Sequence, residues 1–145
     1  MKLKLLLTIV FSQIVIILFA QKKVKKMDCK VLNQILNLKD FEQQFFICKN
    51  NFDTLIIIDT TYSISNCKPI NSCIKEIVID RTNNYHPNKN TGKEPKNLIV
   101  LFKLIKRKKY YVLDLWRPYN NATLTIKATP TKNKFIIKVI GKGVF

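Results

Sequence analysis

An apolar run from Leu5 to Ala20, relieved only by Thr8, Ser12 and Gln13, opens this chain between two basic clusters. Lys2 and Lys4 precede it, and Lys22, Lys23, Lys25 and Lys26 follow. A charged start, an apolar middle and a small residue at its end make the layout of a secretory signal peptide. The run falls short of the roughly 20 residues that span a bilayer comfortably. Residues 1–20 are therefore read as a signal, cut after Ala20 so that Gln21 comes first. Leu18 stands where a small residue is usual before the cut, so a retained anchor is the alternative. The lysines beyond the run would then favour holding that end on the cytoplasmic side. Export predicts a secreted or periplasmic location and an oxidising compartment, which decides how the cysteines are read.

Those cysteines are Cys29, Cys48, Cys67 and Cys73. An even number in an exported chain predicts disulfides. Zinc would need closely spaced pairs. The gaps here are eighteen, eighteen and five residues, and His86 is the one histidine. Neither a metal nor a cofactor is expected. Cys67 and Cys73 bracket a short loop holding Pro69 and Asn71, so they can meet. Pairing them leaves Cys29 with Cys48, about 28 Å apart on one continuous helix. A disulfide tolerates a Cα separation of about 4.4–6.8 Å. Either the helical segment breaks near Asp40, or the pairing crosses between the two halves of the set.

Val31, Leu32, Ile35, Leu36 and Leu38 give residues 28–48 a helical stripe, with Asp28 as N-cap. Asp40 followed by Gln43 resembles a second capping box, opening a stretch with Phe41, Phe45 and Phe46. One kinked helix or two short ones satisfy this pattern. Beyond Asn51 the helical period is lost. Strands are predicted at Leu55–Ile58, Cys73–Asp80, Asn97–Ile105, Tyr110–Trp116, Ala122–Ala128 and Phe135–Ile140. A polar loop, Arg81–Lys96, separates the second from the third. Leu124 and Ile126 alternate with Thr123, Thr125 and Lys127, the mark of an antiparallel strand with one wet face. A helical segment followed by antiparallel strands is α+β. The natural packing lays the helical segment on a curved antiparallel meander, as one domain over residues 21–145. Cystatin-like and NTF2-like domains share this layout as a topology class, without a family motif, and such folds host unrelated functions.

The formal charge is +17, and removing Lys2 and Lys4 leaves +15 on residues 21–145. Such a surface favours anionic partners. Lysine outnumbers arginine 23 to 3, and Asn and Ile are also abundant. AT-rich codons would supply that bias, but they would equally supply Asp and Glu, which number only nine. Arginine is the residue suited to bidentate base recognition. Three arginines, Arg81, Arg107 and Arg117, argue against sequence-specific nucleic-acid reading. The strongest basic patch is Lys106, Arg107, Lys108 and Lys109, with Tyr110 and Tyr111 beside it. A turn of four cations next to aromatics suits an acidic partner. A charge run at a turn is also an ordinary solvated feature.

Catalytic patterns are sparse. His86 lies in the polar loop, where a lone histidine is ordinarily a surface residue. As a general base in a small secreted hydrolase or nuclease it would need a carboxylate partner, from Asp59, Asp80, Glu94 or Asp114. Asp114 interrupts an apolar strand. It either lines a concave pocket with Tyr110, Val112 and Trp116, or pairs with Lys103 on a neighbouring strand. Asn121-Ala122-Thr123 matches a glycosylation acceptor, which matters only in a eukaryotic source. The expected function is a non-enzymatic exported binding protein, of inhibitor or immunity type or binding an envelope polymer, whose basic hairpin docks an acidic macromolecule. The alternatives are the small hydrolase and a protein holding a small apolar ligand between helix and sheet. Contact with membrane is expected only through the signal segment.

Overall fold

The computed structural model describes residues 26–82 and 95–144. The predicted signal, Lys22, Lys23 and Lys25 of the basic cluster that follows it, and His86 with Glu94 lie outside the described residues. Helices α1 (Cys29–Leu36) and α2 (Lys39–Phe45) precede strands β1 (Thr54–Asp59), β2 (Glu76–Asp80), β3 (Leu98–Lys106), β4 (Tyr111–Arg117), β5 (Ala122–Pro130) and β6 (Phe135–Val144). The class is α+β, with two short helices and one sheet. Among the described residues no helix is long and apolar enough to cross a membrane.

The helical segment breaks, though not where a capping box at Asp40 would put it. Asp28 caps α1 as expected, its carboxylate accepting from the Lys30 N–H at 2.8 Å. α1 ends at Leu36, with Asn37 as its C-cap. Three asparagines tie this end to the loop at residues 70–73. Asn37 donates to the carbonyls of Asn33 and Ile70 and accepts from Ser72 N–H. Asn33 accepts from Ile70 N–H, and buried Asn71 donates to the Leu36 carbonyl. These amides satisfy carbonyls that a helix leaves open at its C-terminus. Asp40 lies in the first turn of α2, beside Glu42, where the helix dipole favours negative charge. Its carboxylate meets the Lys142 amine on β6.

The sheet order is β2-β1-β3-β4-β5-β6. β3 to β6 form the expected antiparallel meander. The first half differs, because β1 pairs in parallel with both β2 and β3. The sheet is therefore mixed rather than antiparallel throughout. The reason lies in the connections. Residues 60–75 and 81–97 are long enough to return the chain to the same end of the sheet, which parallel pairing requires. β1 then sits between two neighbours, and its Leu-Ile-Ile-Ile run suits a strand covered on both faces. Leu55 and Ile57 join the main core under the helices, while Ile58 packs with Leu98 and Val100 on the opposite face.

Two bulges shift which residues face the helices. In β3 the register slips between Leu101 and Lys103, so Phe102 is extra. In β6 it slips at Ile140, so Lys142 lies opposite Leu124 and turns toward Asp40. Gly141 and Gly143 then face Thr125 and Thr123. A Cβ at Gly143 would lie 2.8 Å from the Thr123 hydroxyl, so only glycine lets β6 approach β5 there.

The cysteines pair across the set: Cys29 with Cys67 and Cys48 with Cys73, at Cα separations of 6.0 and 5.4 Å. Both features left open by the sequence occur together, a broken helix and a crossing pairing. Each bridge ties the helical segment to the β1–β2 connection. Two disulfides are compatible with an extracellular or periplasmic location. Between helices and sheet, Met27, Leu32, Phe41, Leu113 and Leu115 leave a void of only about 10 Å³, too small for an organic ligand.

Candidate anion-binding end of the sheet

The β3–β4 hairpin carries the predicted basic turn. Arg107 N–H donates to the Tyr110 carbonyl at 2.8 Å and closes it. Lys106, Arg107, Lys108 and Lys109 are all exposed, and Tyr110 is half-buried. Lys106 still pairs with Tyr111 as the last rung of β3, its amine 5.0 Å from the Tyr111 ring. The predicted residues therefore form one continuous, solvent-facing tip.

Register adds a second hairpin to the same end. Tyr111 opposes Ala128, and Pro130 opposes Phe135, so the β5–β6 turn lies beside the β3–β4 turn. Thr131 N–H and hydroxyl both donate to the Lys134 carbonyl, at 2.7 Å each. This turn exposes Lys132 and Lys134. Two strand spacings separate the hairpins, about 10 Å, close to the screening length of about 8 Å at physiological salt. At that separation their fields overlap.

Further along the same two strands, Lys127 directly opposes Lys138. Like charges facing each other across a sheet are destabilising. The Lys127 amine lies 4.4 Å from the Tyr110 ring, so the first hairpin's aromatic holds a cation supplied by the second. Neither lysine forms an ion pair with a described carboxylate. Asp114 is the sole acidic residue in the sequence from residue 95 to 145.

Asp114 is occupied elsewhere. It accepts from the Thr125 hydroxyl at 2.7 Å and lies 3.7 Å from the Lys103 amine. It shares the face turned away from the helices with Val112 and Trp116, so the pairing alternative describes it. The other carboxylates weighed as catalytic partners are also held locally. Asp59 is buried, and its oxygens accept from the Thr61 N–H and hydroxyl and from Ile64 N–H. Asp80 accepts from Thr82 N–H at 2.8 Å, which holds its carboxyl below the usual range. Among the described residues no three His, Cys, Asp or Glu gather to hold a metal.

Sequence reasoning found the first hairpin and missed Lys127, Lys132, Lys134 and Lys138. Their spacing along β5 and β6 was visible, but their alignment with residues 106–109 depends on the β4–β5 register. It also missed the role of Arg117, the last residue of β4. Arg117 is 2% exposed. Its Nε and Nη2 donate to the Lys96 carbonyl, and its Nη1 donates to the Phe45 carbonyl at the end of α2. Burial pushes its pKa down, partly offset by Tyr119. Asn121, of the glycosylation match, is half-buried and takes a left-handed conformation after the short Pro118–Asn120 turn.

No protein-family model matches this chain, and neither a curated protein nor a solved structure matches it.

Proposed function

We propose that this is an exported, non-enzymatic binding protein that docks an acidic macromolecule on the paired hairpins of its sheet end. The observation that carries the reading is the opposed pair Lys127 and Lys138 behind two lysine-rich turns. A sheet that only needed solubility would place an acid in one of those positions, because an opposite-charge pair is favourable there. Keeping both lysines costs stability and concentrates positive charge at one end. Such sacrifices of local stability are expected where function requires them.

The contact is electrostatic and broad rather than base-specific. Lys106, Lys108, Lys109, Lys132 and Lys134 are point charges on flexible stems, which suit a diffuse acidic surface better than a bidentate code. The acidic partner is an acidic protein, as for an inhibitor or immunity-type molecule, or an anionic envelope polymer. The disulfides and the apolar first segment support a secreted or periplasmic setting. The non-enzymatic part of the reading is supported by the local engagement of Asp59, Asp80 and Asp114.

The test removes each hairpin's charge separately and together. Lys106, Arg107, Lys108 and Lys109 become Ser in one variant, and Lys132 and Lys134 in another. Each should weaken binding to the captured partner, and the combination should weaken it most. The remaining affinity should depend less on salt; for a strong polyanion the log–log slope falls by roughly 0.9 for each partner charge no longer neutralised. Full retention of binding in the combined variant would remove the basis for the proposal.

A further inference from the structure

The opposite end of β4 carries a different cationic feature. From Tyr111 to Arg117 the strand spans about 20 Å, so this feature is separate from the hairpins. Arg117 has five N–H donors. Three are used on main-chain carbonyls, and two have no acceptor among the described residues. No described carboxylate forms an ion pair with it. Buried guanidinium groups ordinarily have an anionic partner, because burying charge without one is costly. The end of α2 compensates in part, since carbonyls there carry partial negative charge.

Arg117 lines an open groove of about 330 Å³ with Tyr119 and Asn120 on one side and Phe46, Lys49 and Asn50 on the other. The guanidinium lies 5.4 Å from the Tyr119 ring and 5.8 Å from the Phe52 ring. Phe46 supplies an independent observation. It takes a left-handed conformation with φ 50°, although it is bulky and 46% exposed. That position is the C-cap of α2, where a left-handed residue commonly ends a helix, although glycine is usual there. Asn50 holds the bend, its main-chain N–H and its side-chain amide both donating to the Phe46 carbonyl. The bend places an exposed ring at the edge of a groove whose wall carries a buried cation.

We propose that this groove binds a carboxylate borne on an apolar body, with Arg117 and Lys49 meeting the charge and Phe46 and Tyr119 flanking the apolar part. A carboxylate suits the site better than a phosphate. The fixed charge is a single guanidinium, and the rings would strip water from a dianion that one buried cation and one mobile lysine do not offset. The carboxylate comes either from a free organic acid or from the C-terminus of a peptide ending in an apolar residue.

The test is amide NMR of the full disulfide-bonded protein, titrated separately with phenylacetate, phenylacetamide, inorganic phosphate and an acetylated dipeptide ending in Phe. Phenylacetate should produce saturable shifts at Phe46, Lys49, Asn50, Tyr119 and Asn120. Phenylacetamide should bind about tenfold more weakly or worse, which is the worth of one charge-assisted hydrogen bond. Lys49→Ser, at an exposed position, should weaken phenylacetate several-fold, and Arg117→Lys should weaken it further. Should Arg117→Lys fail to fold, the amide comparison and Lys49→Ser decide the matter. Tighter binding of the dipeptide than of phenylacetate assigns the site to peptide C-termini, and the reverse assigns it to free acids. Equal binding of phenylacetamide or of phosphate, shifts confined to the hairpin end, or no saturable shift at millimolar probe would each overturn the proposal.

Discussion

Replacing Cys29 and Cys67 together with Ala opens a loop that the native bridge closes over a sequence separation of 38. In the chain-entropy treatment, closing a loop of that length removes about 3.9 kcal/mol of unfolded-state freedom at 25 °C. The Cys48–Cys73 bridge closes a separation of 25, worth about 3.5 kcal/mol by the same relation. The Cys29–Cys67 bridge joins the first residue of α1 to the β1–β2 connection. α1 has only eight residues, too few to stand without tertiary support. The Cys29→Ala/Cys67→Ala protein should therefore lose about 3–4 kcal/mol, a fall in Tm of roughly 10–20 °C for a domain of this size. Urea unfolding followed by circular dichroism gives the free energy directly. A loss below about 1 kcal/mol would refute the view that loop closure stabilises this small domain. A larger loss from the Cys48–Cys73 pair would show that native-state packing, not loop length, sets the ranking.

Four further outcomes follow from named interactions. Arg117→Met should cost about 2–4 kcal/mol in urea unfolding, because the Lys96 and Phe45 carbonyls lose their donors. Gly143→Ala should destabilise by about 1 kcal/mol or more, since its Cβ meets the Thr123 hydroxyl, whereas Gly141→Ala should cost less; paired thermal melts check the order. Lys138→Glu should stabilise the fold by about 0.2–1 kcal/mol while weakening partner binding, because it relieves the pair with Lys127. For Asp80, the Thr82 hydrogen bonds lower the folded pKa, so any stability they add is present above the ordinary carboxylate range and lost as pH falls through the lowered value. A carbon-13 titration should place its midpoint below that of the urea-unfolded chain.

The strands were legible because each is a run rich in β-branched, aromatic or other apolar residues bounded by turn residues, and the β5 alternation identified its buried face outright. Their directions were not. Leu55–Ile58 and Cys73–Asp80 read as strands of no stated direction, and parallel pairing is decided by how the long connections return the chain. The helix break near Asp40 was legible, but its caps were not: the second helix starts at Lys39 after Leu38 rather than at a capping Asp40. The side chains that end α1 are Asn37 and Asn71, and Asn71 is thirty-five residues beyond the Leu36 carbonyl it binds. The basic turn at Lys106–Lys109 was legible as a local charge run. Its partnership with Lys127, Lys132, Lys134 and Lys138 required register. The role of Arg117 was not legible, because its acceptors come from residues 45 and 96 and no local pattern announces them.

Binding is assigned to the position of charge rather than its amount, so the most direct measurement compares two variants of equal net charge. One variant replaces Lys106, Arg107, Lys108 and Lys109 with Ser. A control replaces four exposed lysines elsewhere, Lys26, Lys30, Lys39 and Lys68, with Ser. Both variants drop by the same formal charge. Native partners are captured from the envelope or medium of the source cells at about 0.15 M salt, where the screening length is about 8 Å. The hairpin variant should lose the captured partner, and the control should retain it at close to wild-type levels. Equal retention by the two variants, or equal loss, would contradict the assignment of binding to this end of the sheet.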